Sequence, residues 1–231
     1  MDKNSFKFQM RVVGWERKEV AGLIARYFGT KAAYEGMPSL AYMIKESTGR
    51  EWLVDKVGTV ITQGVAEDGT VFAMLRTLDE NGLTPQGQVA ITIGTEGHNG
   101  VTLRNLVNIL AAKERLIVKV MDRSDEVFIP RAIVEAINAV RLSTVDDFLT
   151  AAKTAGYIKW SGIEITKENI TFRWFAATLN PEAIQAYIQF VFAVNKMALT
   201  QKHSTPREVE TANEKYSFRT WLLRLGFIGE E

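Results

Sequence analysis

Phe6-Lys7-Phe8-Gln9-Met10-Arg11-Val12, followed after a short break by Glu16-Arg17-Lys18-Glu19-Val20-Ala21-Gly22-Leu23-Ile24-Ala25-Arg26-Tyr27-Phe28, contains the two patterns from which the architecture follows. In its first part Phe6, Phe8, Met10 and Val12 alternate with Lys7, Gln9 and Arg11, the period-two pattern of a strand with one buried face. In its second part Val20, Leu23, Ile24, Tyr27 and Phe28 recur at helical spacing, and Gly29 supplies a left-handed cap. A half-buried strand that runs into a one-sided helix requires a sheet with helices laid on it.

Beyond that stretch, Tyr34-Glu35-Gly36-Met37-Pro38-Ser39 is a turn written by its Gly and Pro, and the runs Leu40–Ile44 and Trp52–Val54 read as strands. Asp55-Lys56-Val57-Gly58 has the residue preference of a type I turn, so Val54 and Val60 flank a hairpin that continues to Thr62. Residues 70–81 form a short helix ended by Asn81-Gly82, and Val89–Ile93 is a further strand. Strand, helix, two strands, helix, strand is the order of a ferredoxin-like split βαβ layer.

The second half reads as mainly helical. Thr102 is placed to cap a helix reaching about Val120, and Ser143 or Thr144 with Asp146 or Asp147 forms a capping-box variant before Phe148–Ala155. Ile163 and Ile165, then Ile170, Phe172 and Trp174, alternate about the polar turn 166–169 as a β-hairpin. Asn180-Pro181-Glu182 starts a helix to about Gln201, and Thr205-Pro206-Arg207-Glu208 repeats that logic for a last helix to Leu225, stopped by Gly226. The expected fold is α+β, with an antiparallel sheet domain over residues 1–95 carrying helices on one face. A mainly helical domain over 96–231 holds the hairpin near 163–174.

Composition narrows the chemistry. The 231 residues include no cysteine, which excludes disulfides, thiolate metal sites and cysteine nucleophiles. The two histidines, His98 and His203, are distant in sequence and have no acidic partners at ligand spacing, so neither a metal nor a cofactor is expected. No apolar run approaches the roughly 18 residues of a membrane span, and the N-terminus lacks a signal-like core, so the expected setting is cytoplasmic with no membrane partner. The net charge of +1 argues against a dedicated nucleic-acid binder, yet residues 1–31 are rich in Lys and Arg while 64–96 are acidic.

Gly94-Thr95-Glu96-Gly97-His98-Asn99-Gly100 lies between a strand and a helix, where backbone N–H groups can cradle phosphate, but its spacing matches neither nucleotide-binding glycine motif. Arg115, Lys119 and Arg123 recur every four residues and would line one stripe of a helix. Such a stripe can follow a phosphate backbone or simply face solvent. Around the last helix Lys215, Tyr216, Arg219 and Leu223 complete the set of candidate binding residues; no catalytic residue is assigned.

That helix is apolar on two sides. Phe218, Trp221, Leu222 and Leu225 make one stripe, and Tyr216, Leu223 and Thr220 another opposite to it. Either it is a central core helix, or its second side meets further sequence or a partner. The segment Asn213-Glu-Lys-Tyr-Ser-Phe-Arg-Thr-Trp-Leu-Leu-Arg-Leu-Gly-Phe-Ile-Gly resembles the C-terminal signature of a family of uncharacterised "virulence-related" proteins found on conjugative and phage-like elements of Firmicutes. Glu16-Arg-Lys, Tyr34-Glu-Gly-Met-Pro-Ser, Ala41-Tyr, Val54-Asp-Lys-Val-Gly-Thr and Asn195-Lys-Met-Ala with Gln201-Lys202 are similar to the same family. Members of that family continue with a basic stretch where this chain ends at Glu231. The resemblance implies an accessory protein of a mobile element and brings no catalytic residues. The expected activity is binding to a protein or DNA partner, or self-association through the last helix; the alternative is an enzyme with an unrecognised active site.

Overall fold

The computed structural model describes residues 5–66, 69–120, 129–156, 162–208 and 212–227. Among these, eight strands form an antiparallel sheet in the order β2-β3-β4-β5-β1-β6-β8-β7, and eight helices complete an α+β fold. The strands are β1 (Ser5–Val13), β2 (Ala32–Tyr34), β3 (Tyr42–Lys45), β4 (Glu51–Val54), β5 (Thr59–Val65), β6 (Thr84–Gly94), β7 (Ile163–Ile165) and β8 (Asn169–Ala176). The chain divides into two compact units: Met1–Gly94 with Thr171–Gln189, and Thr95–Ile170 with Phe190–Glu231.

In the first unit β1 lies between β5 and β6, antiparallel to both, and β4 pairs with β5, so β4-β5-β1-β6 has the strand order of the split βαβ layer. The hairpin register is Val54 opposite Val60, held by Asp55, whose Oδ1 accepts from the N–H groups of Val57 and Thr59. Phe6, Phe8, Met10 and Val12 are buried, as are Ile44, Trp52 and Val60 on the same face. Helix α1 (Arg17–Tyr27) covers this face with Val20, Leu23 and Ile24. Tyr27 differs from the sequence expectation: it ends the helix 45% exposed, edge-on to the Phe28 ring, while Phe28 takes the contact with Trp52. Helix α2 (Gly69–Glu80) approaches where Gly64 leaves room, since a Cβ there would stand 2.9 Å from the Phe6 ring and 3.2 Å from Val71.

Among the described residues, the opposite face of the sheet is covered only in part. At β6 and β8 it is buried: Thr92 and Thr171 share a hydroxyl hydrogen bond of 2.9 Å, and Phe175 stacks on Tyr187 of α7 (Pro181–Thr200) at 4.4 Å between ring centres. Burial raises the Tyr187 phenol above its ordinary pKa. Across the other strands this face carries the cross-strand row Ala33, Met43, Leu53, Ile61 and Gln9, of which Ala33 is exposed and the rest are half-buried.

The second unit is built on α3 (Gly100–Ala111), α4 (Glu114–Val120), α5 (Arg131–Ala139), α6 (Val145–Thr154), the rest of α7 and α8 (Glu214–Leu225). Asn99, not Thr102, caps α3: its Oδ1 accepts from Val101 and Thr102, while the Thr102 hydroxyl accepts the Asn99 N–H at the third helical position. The helix expected to reach Val120 breaks at 112–113, where the Lys113 N–H turns back to the Leu110 carbonyl. Thr144 and Asp147 form the capping box of α6, and Asn180 caps α7 through the Ala183 N–H.

The helix expected from Thr205-Pro206 does not form there. The Thr205 hydroxyl accepts from Arg207 N–H as a cap would, but α3 holds the preceding residue: Ser204 donates its N–H and hydroxyl to Asn105, and its carbonyl accepts from Asn108. Three hydrogen bonds to a buried polar stripe outweigh one local cap worth about 1 kcal/mol. The last helix begins instead at Asn213, whose Oδ1 accepts the Tyr216 N–H.

Candidate functional site

Gly226, with φ +97°, ends α8 in the left-handed conformation, its N–H donating to Leu222 and Leu223. One side of the helix is anchored: Trp221 is buried, edge-on to Phe190 at 5.7 Å, with Phe218 beside it. The other side presents Lys215, Tyr216, Arg219 and Leu223 outward. Tyr216 is 69% and Leu223 51% exposed, and Tyr216, Arg219 and Leu223 recur at the i, i+3, i+7 spacing of one helical face. Among the described residues Lys215 and Arg219 form no ion pair, so their charge is presented to solvent. Phe227, just past the cap, is half-buried.

Arg115 and Lys119 stand on the anchored side. Arg115 pairs with Glu208 at 2.5 Å and with Glu214 at 3.0 Å, and Lys119 donates to the second oxygen of Glu214. The Lys119 hydrogen bond, helped by the charges of Lys119 and Arg115, holds the Glu214 carboxyl below its ordinary pKa. Their role in this arrangement is to clamp the first turn of α8, where an acidic residue also complements the helix dipole. Arg123 lies outside the described residues. Arg115 and Glu208 also line a groove of about 610 Å³ formed with α4, α5 and residues 205–208, to which Arg131 and Arg207 contribute. The structure thus gathers four of the seven sequence candidates on one helix face and sets two others on the opposite side.

The glycine-rich loop before α3 is not an open anion cradle. Asn99 already satisfies the N–H groups of Val101 and Thr102, and the Gly100 N–H donates to the Ser143 carbonyl. Gly100 is glycine for packing reasons: a Cβ would stand 2.6 Å from the Thr144 carbonyl oxygen and 2.8 Å from Leu142. His98 has both ring nitrogens occupied, Nε2 facing Asn195 Oδ1 at 2.7 Å and Nδ1 the Thr102 hydroxyl at 3.1 Å. Burial lowers its pKa, partly opposed by the Asn195 hydrogen bond. Such an imidazole positions α3 against α7; it is not poised as a general base.

Two features had no counterpart in the sequence reading. Thr102, Asn105 and Asn108 form a polar stripe down α3, whose remaining residues apart from Arg104 are apolar or glycine, and their three-residue spacing could have disclosed it. The Arg17 guanidinium lies over the rings of Tyr34 and Tyr42, 5.6 and 5.3 Å from their centres, and donates to the Leu40 carbonyl, a residue held at φ +52°. No local pattern links Arg17 to those tyrosines. No family model, curated protein or solved structure matches the chain in comparisons with each. Among the described residues no helix is long and apolar enough to cross a membrane.

Proposed function

We propose that this chain is a binding protein that docks on a protein partner through the outward face of α8. The observation that carries this reading is the joint exposure of Tyr216 and Leu223 beside Lys215 and Arg219, which form no ion pair among the described residues, on a helix whose other side is already anchored. Tyr and Arg are the side chains that supply most binding energy at protein interfaces, and an i, i+3, i+7 face is the form in which a helix is read by a partner groove. The two cations favour an acidic rim on that partner. The family resemblance supports an accessory role on a mobile genetic element. Binding to DNA through the basic stripe has less support, because Arg115 and Lys119 already serve carboxylates of the same chain.

The test compares the parent with Tyr216→Ala/Leu223→Lys for stoichiometric co-purification of a partner from cells that carry the element. Loss of the partner from a folded double variant supports the α8 face. Retention of the partner rejects it. A labelled DNA duplex titrated at low and moderate salt provides the opposing arm: binding that collapses with salt and weakens on Arg219→Ala would put nucleic acid in place of protein.

A further inference from the structure

The strand β2 closes one edge of the sheet, and its free backbone groups, side-chain sizes and charges are arranged to pair with themselves. The Glu35 N–H donates to the Ala41 carbonyl at 2.9 Å, and β2 pairs with β3 as Ala32 to Ile44, Ala33 to Met43 and Tyr34 to Tyr42. In an antiparallel ladder, residues whose backbone groups face the neighbouring strand alternate with residues whose groups face away. Glu35 and Ala33 therefore bond inward to β3. Ala32 and Tyr34 point their N–H and C=O groups outward, to the edge on which no strand pairs among the described residues.

We propose that a second copy of this chain occupies that edge, joining two β2 strands antiparallel about a two-fold axis through Ala33. In this register Ala32 faces Tyr34 of the partner subunit, and Tyr34 faces Ala32 of the partner subunit, so the outward backbone groups make four hydrogen bonds. The pairing sets the large Tyr34 ring against the small Ala32 side chain twice over. Ala33 meets its own copy, and Lys31 meets Glu35 of the partner subunit, both in the non-hydrogen-bonded positions where side chains approach most closely. An isologous contact requires a surface that complements itself, and Lys31-Ala32-Ala33-Tyr34-Glu35 does so in charge and in size.

The setting supports this occupant. Lys31, Ala33 and Glu35 are exposed, Tyr34 is 50% exposed, and Met37 in the turn that follows is 79% exposed. Lys31 has no partner among the described residues, and Glu35 engages only one carboxylate oxygen, with the Ser39 hydroxyl. Sliding the register by two residues would oppose Tyr34 to its own copy in one direction and Ala32 to its own copy in the other, and in either case would leave Lys31 and Glu35 without each other as counterparts. Natural proteins protect strand edges, and pairing is one way to do so. The proposal rests on β2 alone and does not depend on the reading of α8 as a docking face.

The chain has no cysteine, which makes a direct test available. On mild oxidation Ala33→Cys should form a covalent dimer far faster than the exposed control Lys153→Cys, because residues at such a two-fold axis meet disulfide geometry. By sedimentation equilibrium the parent should dimerise. Lys31→Glu and Glu35→Lys should each weaken the dimer about tenfold, since each turns two attractive cross-strand pairs repulsive. The double swap Lys31→Glu/Glu35→Lys should restore it. Ala32→Pro, which removes only an outward N–H, should give a folded monomer. The proposal is overturned if the parent is monomeric at every concentration, if Ala33→Cys links no faster than Lys153→Cys, or if the single reversals leave the dimer unchanged. A dimer lost on Leu223→Lys but kept in the Lys31 and Glu35 variants would place self-association on α8 instead.

Discussion

Asn108 on α3 and Asn138 on α5 exchange their side-chain amides, each Nδ2 donating to the other's Oδ1, at 2.9 and 2.8 Å. Asn108 is wholly buried and also donates to the Ser204 carbonyl at 2.9 Å. One buried amide thus ties two helices to the irregular segment that leads toward α8. A buried polar group of this kind stabilises when every partner is present and costs heavily when one is lost.

Asn108→Ala should therefore destabilise the protein by about 1–3 kcal/mol, mainly by leaving the buried Ser204 carbonyl without a donor. Urea denaturation would measure it. No change in midpoint would mean that solvent reaches this site and that the amide exchange holds nothing.

Two glycines in helices should respond with opposite signs. Gly100→Ala forces a methyl to within 2.6 Å of the Thr144 carbonyl oxygen and should cost about 1–3 kcal/mol by overpacking. Gly22, in the middle of α1, has no neighbouring atom within 4 Å of the place a methyl would take, so Gly22→Ala should stabilise by about 0.4–1 kcal/mol. Thermal melts of the two variants would compare them directly.

Leu23 and Leu223 make a second contrast. Leu23 is in the α1 core, and Leu23→Ala should cost about 2–5 kcal/mol. Leu223 is half-exposed, so Leu223→Lys should stay folded with a stability change within about 0.5 kcal/mol. Unfolding of Leu223→Lys in far-UV circular dichroism would show that the α8 face is core and remove the docking reading.

Stability should fall on mild acidification through His98. Its pKa in the folded protein is below the ordinary 6.5, so as pH drops past that value the unfolded chain takes up a proton that the folded chain refuses. The contribution is fully present above 6.5 and is lost as pH falls toward and below the lowered folded value. Urea midpoints at about pH 7.5 and about pH 5.5 should differ less in His98→Gln than in the parent. An unchanged difference would show that His98 titrates alike in both states.

Local elements and their faces follow from the residues of each segment alone. Period-two burial at Phe6, Phe8 and Met10, the Val54–Val60 hairpin, the Asn180 cap and the Gly226 stop are all set by interactions spanning a few residues, which is why they can be read without a fold. Tyr216 and Leu223 are legible in the same way as a second apolar side of the last helix, because helical spacing alone separates two faces. Other features exist only once distant segments have met. That Arg115 and Lys119 clamp Glu214 depends on residues about a hundred positions apart coming together, as does the hold of α3 on Ser204 that prevents a helix at Thr205. The return of Thr171–Gln189 to the first unit and the outward-facing groups of β2 have the same origin. Pairing partners in a sheet and counter-ions across a core are chosen by long-range packing, and no pattern within a single segment records which neighbour it will meet.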